Sequence, residues 1–193
     1  MPLTKTFISY HHENDQRYKD HLSIMAWQNN AFEDCSVEVG DIDEELSSET
    51  IRRIIRDDYL RDTQVTILLC GTETRNRKHI DWEVKSSMID GEINKRSGIL
   101  VIDLPTTSSI SWHAGLPNEK EVVYWDYYGG WTSYSTKEEY KIVYPYLPER
   151  IIENLLKPGV RMSVVPWDRI CNNPGNLRFL IDSTARSWSN KRL

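Results

Sequence analysis

The sequence predicts an α/β fold with a mostly parallel sheet, and two observations carry that prediction. First, Val65–Cys70 and Gly98–Asp103 are short apolar runs of the kind found in strands that are buried on both faces. Second, the apolar spacing changes after the first run, where Ile80, Val84 and Met88 form one stripe of a helix. Strands that alternate with helices favour parallel pairing through right-handed crossovers. We therefore expect a flavodoxin-like sheet of about four or five strands, with Val65–Cys70 away from its edges.

The first half of the chain supplies the remaining elements of that core. Gly71–Asn76 has the composition of a turn, and the helix after it is expected to close near Gly91. The elements predicted before Gln64 are a strand at Thr4–Tyr10, a helix at Asp15–Gln28 capped by Asn14, a weak strand at Asp34–Val39, an acidic loop at 40–45, and a helix capped by Ser48 with Ile51, Ile54, Ile55 and Tyr59 on one face.

The region from Pro105 to Tyr146 is long, irregular and rich in aromatic residues. Two interpretations stand: a functional insertion, or a satellite core that covers one edge of the sheet. Its aromatic residues include Trp112, Tyr124, Trp125, Tyr127, Tyr128, Trp131 and Tyr134. The elements predicted after Pro105 are a short strand at Glu121–Trp125, a helix opened by Pro148, an edge strand at Arg161–Val165 and a last helix opened by Pro174, with Leu177, Leu180, Ile181, Thr184 and Trp188 facing the core. We expect one domain over residues 1–193, with the sheet core at about 4–104 and an elaboration at about 105–190.

Charge and composition narrow the class of partner and the compartment. The formal net charge of −5 argues against a nucleic-acid-binding surface. The first residues lead directly into a strand, and no apolar run approaches the length of a membrane span, so we expect neither a signal peptide nor a membrane anchor. The three cysteines are isolated in sequence, which favours reduced thiols. These observations predict a cytoplasmic protein.

Several sequence motifs of enzymes and metal sites are absent. The chain has no GxGxxG after a strand, no GxxxxGK[ST] and no GxSxG, which argues against a Rossmann dehydrogenase, a P-loop enzyme and an α/β-hydrolase. No metal-ligand spacing stands out among the five histidines, so no metal is expected. A phospho-receiver domain needs an acidic pair near the end of the first strand, where this chain has Ser9-Tyr10-His11.

Glu83 is the candidate catalytic residue that the predicted fold singles out. It lies beside Val84 on the edge of the apolar stripe, and helical side chains lean toward the helix N-terminus. That direction points to the carboxyl edge of the sheet, where Ser9–His11 and Gly71–Arg77 also belong and where open α/β sheets bind ligands. Two interpretations are open on position alone: a solvated helix glutamate or a catalytic carboxylate.

A family resemblance favours the second interpretation. Thr6–Tyr10 is similar to the opening strand of TIR and TIR-like domains. The strand at Val65 with Thr74–Arg77 and Asp81–Val84 resembles the bacterial TIR-like proteins of Thoeris anti-phage defence, the ThsB family. The aromatic segment at 122–131 is similar to a later segment of those proteins. The resemblance implies a TIR-like α/β fold over most of the chain.

The resemblance also implies an activity. In enzymatic TIR domains a glutamate at the place of Glu83 cleaves the bond between nicotinamide and ribose in NAD. His79-Ile80 replace the Trp-Cys pair common before that glutamate, a departure that bears on substrate pose. The implied site has Glu83 as the catalytic group, and its candidate binding residues are Tyr10, His11 and Trp82 for ring or ribose contacts and Ser9, Arg75 and Arg77 for polar or phosphate contacts.

The implied partners follow from that reaction, with NAD as substrate and no further cofactor. The product is expected to be an ADP-ribose derivative, such as a cyclic isomer, that diffuses to a separate effector protein; a homo-oligomer is left open. Two other function classes remain: a TIR-type module that only assembles with partners, and a nucleoside-processing transferase with a similar fold and carboxylate. For Arg75 and Arg77 an alternative role as solvated loop charges also stands.

Overall fold

A five-stranded parallel sheet forms the centre of the molecule. The computed structural model of the chain describes residues 2–36, 46–88, 96–126 and 133–189, and within them the sheet has the order β2-β1-β3-β4-β5. The strands are β1 (Lys5–Ser9), β2 (Glu33–Asp34), β3 (Val65–Cys70), β4 (Gly98–Asp103) and β5 (Ser163–Pro166). Every neighbouring pair is parallel. The predicted flavodoxin-like sheet is confirmed, with Val65–Cys70 as its middle strand.

Helices connect the strands and cover both faces of the sheet. They are α1 (His12–Asn29), α2 (Ser48–Ile54), α3 (Lys78–Met88), α4 (Glu119–Val123), α5 (Lys137–Val143), α6 (Glu149–Leu155), α7 (Trp167–Cys171) and α8 (Pro174–Ser189). A turn of π-helix at Ile55–Tyr59 continues α2. Among the described helices, none combines the length and the apolar character that a membrane span requires.

The side chains of β3 explain why the sheet lies between two layers. Ile67 and Leu69 belong to the core that includes residues of α1 and α8, whereas Leu68 and Cys70 belong to the core of α3 and α6. Because successive side chains of a strand point to opposite faces, a run of six buried residues requires a helical layer on each side.

A predicted helix start and a predicted strand differ from the structure. The helix predicted from Asp15 begins at His12, because the His11 imidazole rather than Asn14 supplies the N-cap. The predicted strand at Glu121–Trp125 is wrong, because this segment overlaps α4. There the carboxylate of Glu119 accepts a hydrogen bond from the backbone N–H of Leu116 at 2.9 Å, which fixes the start of a helical turn.

Other predicted elements agree with the structure where it describes them. The helix opened by Pro148 is α6, the edge strand is β5, and the helix opened by Pro174 is α8. The second strand, predicted at Asp34–Val39, pairs with β1 at Glu33–Asp34, and residues 37–39 lie outside the described part of the chain. The acidic loop at 40–45, the helix end near Gly91 and the aromatic residues Tyr127, Tyr128 and Trp131 lie outside the described residues.

The segment after Pro105 covers the outer edge of β5. His113 pairs with Val164 in an antiparallel bridge, and its backbone N–H donates to the Val164 carbonyl at 3.0 Å. Next to it, the ring of Trp112 stacks on Tyr124 with centroids 3.6 Å apart. In the described part of this segment, the satellite-core interpretation is therefore the one that the contacts support.

Helix α8 completes the same side of the core by packing closely on β4. A Cβ atom built on Gly98 would lie 2.6 Å from the Cγ2 atom of Thr184. Glycine is therefore needed at this position, because a larger residue would force α8 away from the strand.

A buried carboxyl group fastens the edge cover to β5. The Ser163 hydroxyl donates to Oε2 of Glu119 at 2.5 Å, while Oε1 is buried without a hydrogen-bond partner in the described residues. Burial raises the pKa of Glu119 from 4.5 to about 7, and the hydrogen bond from Ser163 opposes that rise.

The raised pKa of Glu119 predicts pH-dependent stability. Between 4.5 and about 7 the folded protein retains a proton that the unfolded chain releases, so the free energy of unfolding should fall as pH rises through this window. Glu119→Gln should remove this loss, which amounts to on the order of 3 kcal/mol. Denaturant unfolding at about pH 5 and pH 8 checks it, with exposed Glu121→Gln on the same helix as the control. If the difference in unfolding free energy between the wild type and Glu119→Gln is the same at both pH values, this prediction is contradicted.

Candidate active site

The order of the strands marks one place on the sheet for a ligand. From β1 the chain continues to β2 on one side, and β3 lies on the other side of β1. In open α/β sheets the connections leave in opposite directions at such a switch point, and a crevice opens at the carboxyl ends of the two strands. Here that place lies between the loops that follow Ser9 and Cys70.

The carboxylate of Glu83 lies at this switch point. Glu83 stands on α3, only 8% of it is exposed, and its Oε2 atom accepts a hydrogen bond of 2.5 Å from the hydroxyl of Ser9. Ser9 is the last residue of β1, and its side chain shares the α3 face of the sheet with Phe7. Ile80 and Val84 of α3 are buried against the same face of the sheet. Because they pack there, Glu83 lies inside the protein and is not a solvated helix residue.

Burial changes the acidity of this carboxyl group. It raises the pKa of Glu83 from 4.5 to about 7, and the hydrogen bond from Ser9 partly opposes the rise. Glu83 therefore titrates near neutral pH. In its ionised form it places one weakly solvated negative charge at the sheet edge, where a charge acts strongly on a developing cation.

His11 and Arg77 meet beside the end of β1. Arg77 Nε donates to Nε2 of His11 at 2.5 Å, and its Nη2 donates to a carboxylate oxygen of Glu13 at 3.2 Å. His11 Nδ1 also lies 3.3 Å from the backbone nitrogen of Asn14. A neutral imidazole has one acceptor nitrogen, so only one of the two contacts is a full hydrogen bond at a time. The predicted proximity of the two loops is thus observed.

The other candidate binding residues occupy different surroundings. Tyr10 is buried, stacks on His12 with ring centroids 4.4 Å apart, and donates its hydroxyl to Gln16 at 2.8 Å. Trp82 is half-buried on α3. Arg75 donates to the carbonyl of Pro145 at 3.2 Å, so its guanidinium is directed toward the segment before α6. Their roles toward a ligand stay predictions.

An ion pair extends the contact between α3 and the later helices. Arg150 on α6 makes two hydrogen bonds to the carboxylate of Asp81, at 2.9 and 3.2 Å. Asp81 lies two residues before Glu83 on the same helix. Together with the contact from Arg75 to Pro145, this pair fixes the N-terminal half of α3 against the elaboration.

Sequence reasoning missed two buried carboxyl groups at this edge of the sheet. Asp15 lies so close to Gly71 that a Cβ there would be 2.5 Å from its Oδ2 atom. Burial raises the pKa of Asp15, and the nearby His11 opposes the rise. Asp103 ends β4, and burial raises its pKa to about 6 against hydrogen bonds from Thr107 and Ser109. An acidic residue at the start of a helix or the end of a strand is ordinarily solvated, so neither position gave a signal.

The site has no candidate metal ligands among the described residues, and it lies in a segment that matches a known family. Within the described ranges, no group of three or more His, Cys, Asp or Glu side chains is placed to hold a metal ion. Residues 7–109, more than half of the 193-residue chain, match the family model of the Thoeris protein ThsB, TIR-like domain. The matched segment includes the last three residues of β1 and all of β3, α3 and β4, and therefore Ser9 and Glu83. Comparison with curated proteins gave no match.

The hydrogen bond from Ser9 should be measurable in the titration of Glu83. Ser9→Ala removes a donor that stabilises the charged carboxylate, so the pKa of Glu83 should rise by about one pH unit above the wild-type value. A ¹³C NMR titration of the glutamate carboxyl carbons measures it. Ser36→Ala is the matched control, because Ser36 also bonds β1 but does so at the Ile8 backbone. An unchanged Glu83 titration in Ser9→Ala would refute this account of the bond.

Proposed function

Because the chain belongs to the TIR-like domain family of the Thoeris protein ThsB, we propose that it is an enzyme that cleaves NAD at the bond between nicotinamide and ribose. The product is an ADP-ribose-derived signal, of a cyclic type, that activates a separate effector during phage infection. The observation that carries this proposal is the buried carboxylate of Glu83, held by Ser9 at the β1/β3 switch point.

One carboxylate is sufficient for this reaction. Nicotinamide leaves as a neutral base, so its departure needs no general acid. The ribose develops the character of an oxocarbenium ion, as a sugar does in glycoside hydrolysis. The ionised Glu83 stabilises that positive charge, and its poor solvation makes the interaction stronger than it is in water.

The group that attacks the ribose carbon decides the product. Attack by a group of the same molecule gives a cyclic ADP-ribose isomer. Attack by water gives ADP-ribose instead.

The residues around the switch point have separate roles in this proposal. Ser9 orients the Glu83 carboxylate. Trp82 offers a ring surface to nicotinamide or ribose, and Arg77, which His11 orients, offers donors to the phosphates. Arg75 is a further candidate for phosphate contacts, and one of its guanidinium nitrogens donates to Pro145.

The central test is Glu83→Gln, which keeps the shape of the side chain and removes its charge. Nicotinamide release should fall about 10²-fold or more, the scale for one preorganised electrostatic group. Stability should be at least that of the wild type, and higher above about pH 7, because burial disfavours the ionised carboxylate of Glu83. Nicotinamide and ADP-ribose products are measured by mass spectrometry on purified protein and on infected cells, together with melting curves.

Glu119→Gln is a matched control for this test. Glu119 has comparable burial and an equally raised pKa, but it lies at the β5 edge away from the switch point. It should keep wild-type turnover. Equal product formation by wild type and folded Glu83→Gln would exclude Glu83 as the catalytic group and favour a module that only assembles with partners. Turnover of free nucleosides but not NAD would favour the transferase.

The pH profile gives a second, independent test. Only the ionised carboxylate stabilises the cation, so kcat/KM should rise with pH and level off above about 7, the pKa of Glu83 in the free protein. Below that value the rate should fall roughly tenfold for each pH unit. Initial rates of nicotinamide release across pH check this, with melting curves at each pH to confirm folding. A rate that falls as pH rises through this range would contradict the role of the ionised form.

A further inference from the structure

A chain of buried hydroxyl groups ends at the backbone of Glu83. Thr66 on β3 lies 2.8 Å from the hydroxyl of Ser87 on α3 and 2.8 Å from that of Ser97, which precedes β4. Ser87 in turn donates to the backbone carbonyl of Glu83 at 2.9 Å. The exposed fractions of Thr66, Ser87 and Ser97 are 0%, 2% and 1%.

The count of hydrogen atoms gives this chain one direction. Each hydroxyl has a single hydrogen to donate. Ser87 uses its hydrogen on the Glu83 carbonyl, so Thr66 must donate to Ser87. Thr66 then has none left, so Ser97 must donate to Thr66. The backbone N–H of Ser97 also donates to the Ser87 carbonyl at 2.9 Å, which links α3 directly to the segment before β4.

Glu83 is consequently held at two points by adjacent strands. Its carboxylate is fixed by Ser9 on β1, and its main chain is fixed through Ser87 to Thr66 on β3. The parallel ladder pairs Phe7 with Thr66 and Ser9 with Leu68, so the spacing between the two anchors is set by the register of the sheet. A change at Thr66 therefore alters where α3 presents the carboxylate.

We propose that Thr66, Ser87 and Ser97 are positioning residues that set the place of the Glu83 carboxylate relative to Ser9 and to the bound substrate. They do not touch the reacting atoms. The catalytic consequence rests on the NAD-cleaving function proposed above, whereas the geometric consequence for Glu83 does not.

Thr66→Val is the first test, because valine keeps the shape of threonine and removes only the hydroxyl. We expect kcat to fall about tenfold or more with KM within about twofold, because a misplaced carboxylate loses contact with the transition state rather than with the bound substrate. Thr66→Ser restores the hydroxyl and should recover most of kcat.

The matched control is Thr63→Val. Thr63 is also buried and precedes β3, but its hydroxyl donates to the carbonyl of Leu60 at 3.1 Å and, among the described residues, makes no hydrogen bond to α3. It should lose a similar amount of stability and keep wild-type kcat. An equal loss of kcat in Thr63→Val and Thr66→Val would overturn the proposal, because the loss would then come from lower stability and not from the position of Glu83.

A second variant protects the test against misfolding. Ser87→Ala removes the link that reaches Glu83 directly, and alanine favours the helix. It should show the same fall in kcat at nearly constant KM. A folded Ser87→Ala with wild-type kcat also overturns the proposal.

The titration of Glu83 separates this inference from the proposed function. Thr66→Val and Ser87→Ala should both raise the pKa of Glu83 in a ¹³C NMR titration, because a displaced carboxylate loses the hydrogen bond from Ser9. If the wild type shows no NAD cleavage while both variants shift the pKa, the proposed function fails and the positioning role stands. If the wild type cleaves NAD and neither variant changes kcat or the pKa of Glu83, the positioning role is wrong and the proposed function stands.

Discussion

The hydrogen bond between Ser9 and Glu83 is the contact around which the site is built. It joins the last residue of the strand β1 to α3, the helix that follows the neighbouring strand β3, and so it requires both strands to run in the same direction and to pair. It also requires α3 to bury its apolar stripe, since Ile80 and Val84 bring Glu83 down onto the sheet. Strand order, helix packing and the acidity of one carboxyl group are thus parts of a single arrangement.

The elaboration contributes to that arrangement from a distance. Arg75 and Asp81 lie in the loop and helix that lead to Glu83, and both are bonded to the later part of the chain, at Pro145 and Arg150. The stretch that contains His113 instead covers β5. The later part of the chain therefore closes an edge of the sheet and also holds the loop and helix that lead to Glu83.

Local pattern was sufficient to predict the strands at Val65 and Gly98, the main helices and the direction of the Glu83 side chain. The spacing of apolar residues distinguishes the strand Val65–Cys70 from the helix at Ile80. Helical side chains tilt toward the helix N-terminus, which predicts the direction of the Glu83 carboxylate. The chain of hydroxyls through Thr66 was beyond reach, because its members are 21 and 31 residues apart and meet only in the folded sheet. The short helix at Glu119 was missed for a similar reason: its glutamate bonds Ser163, 44 residues later.

The close contact between Gly98 and Thr184 has a consequence for how the chain can be divided. The segment that matches the family model ends at residue 109, whereas β5 and α8 follow much later. Cut at that boundary, β4 would become an open edge with unpaired backbone groups, and one of its faces would lose the helix that covers it. The unit that is recognisable by sequence similarity is therefore smaller than the unit that folds. A grafted or swapped domain would need to carry the chain through α8.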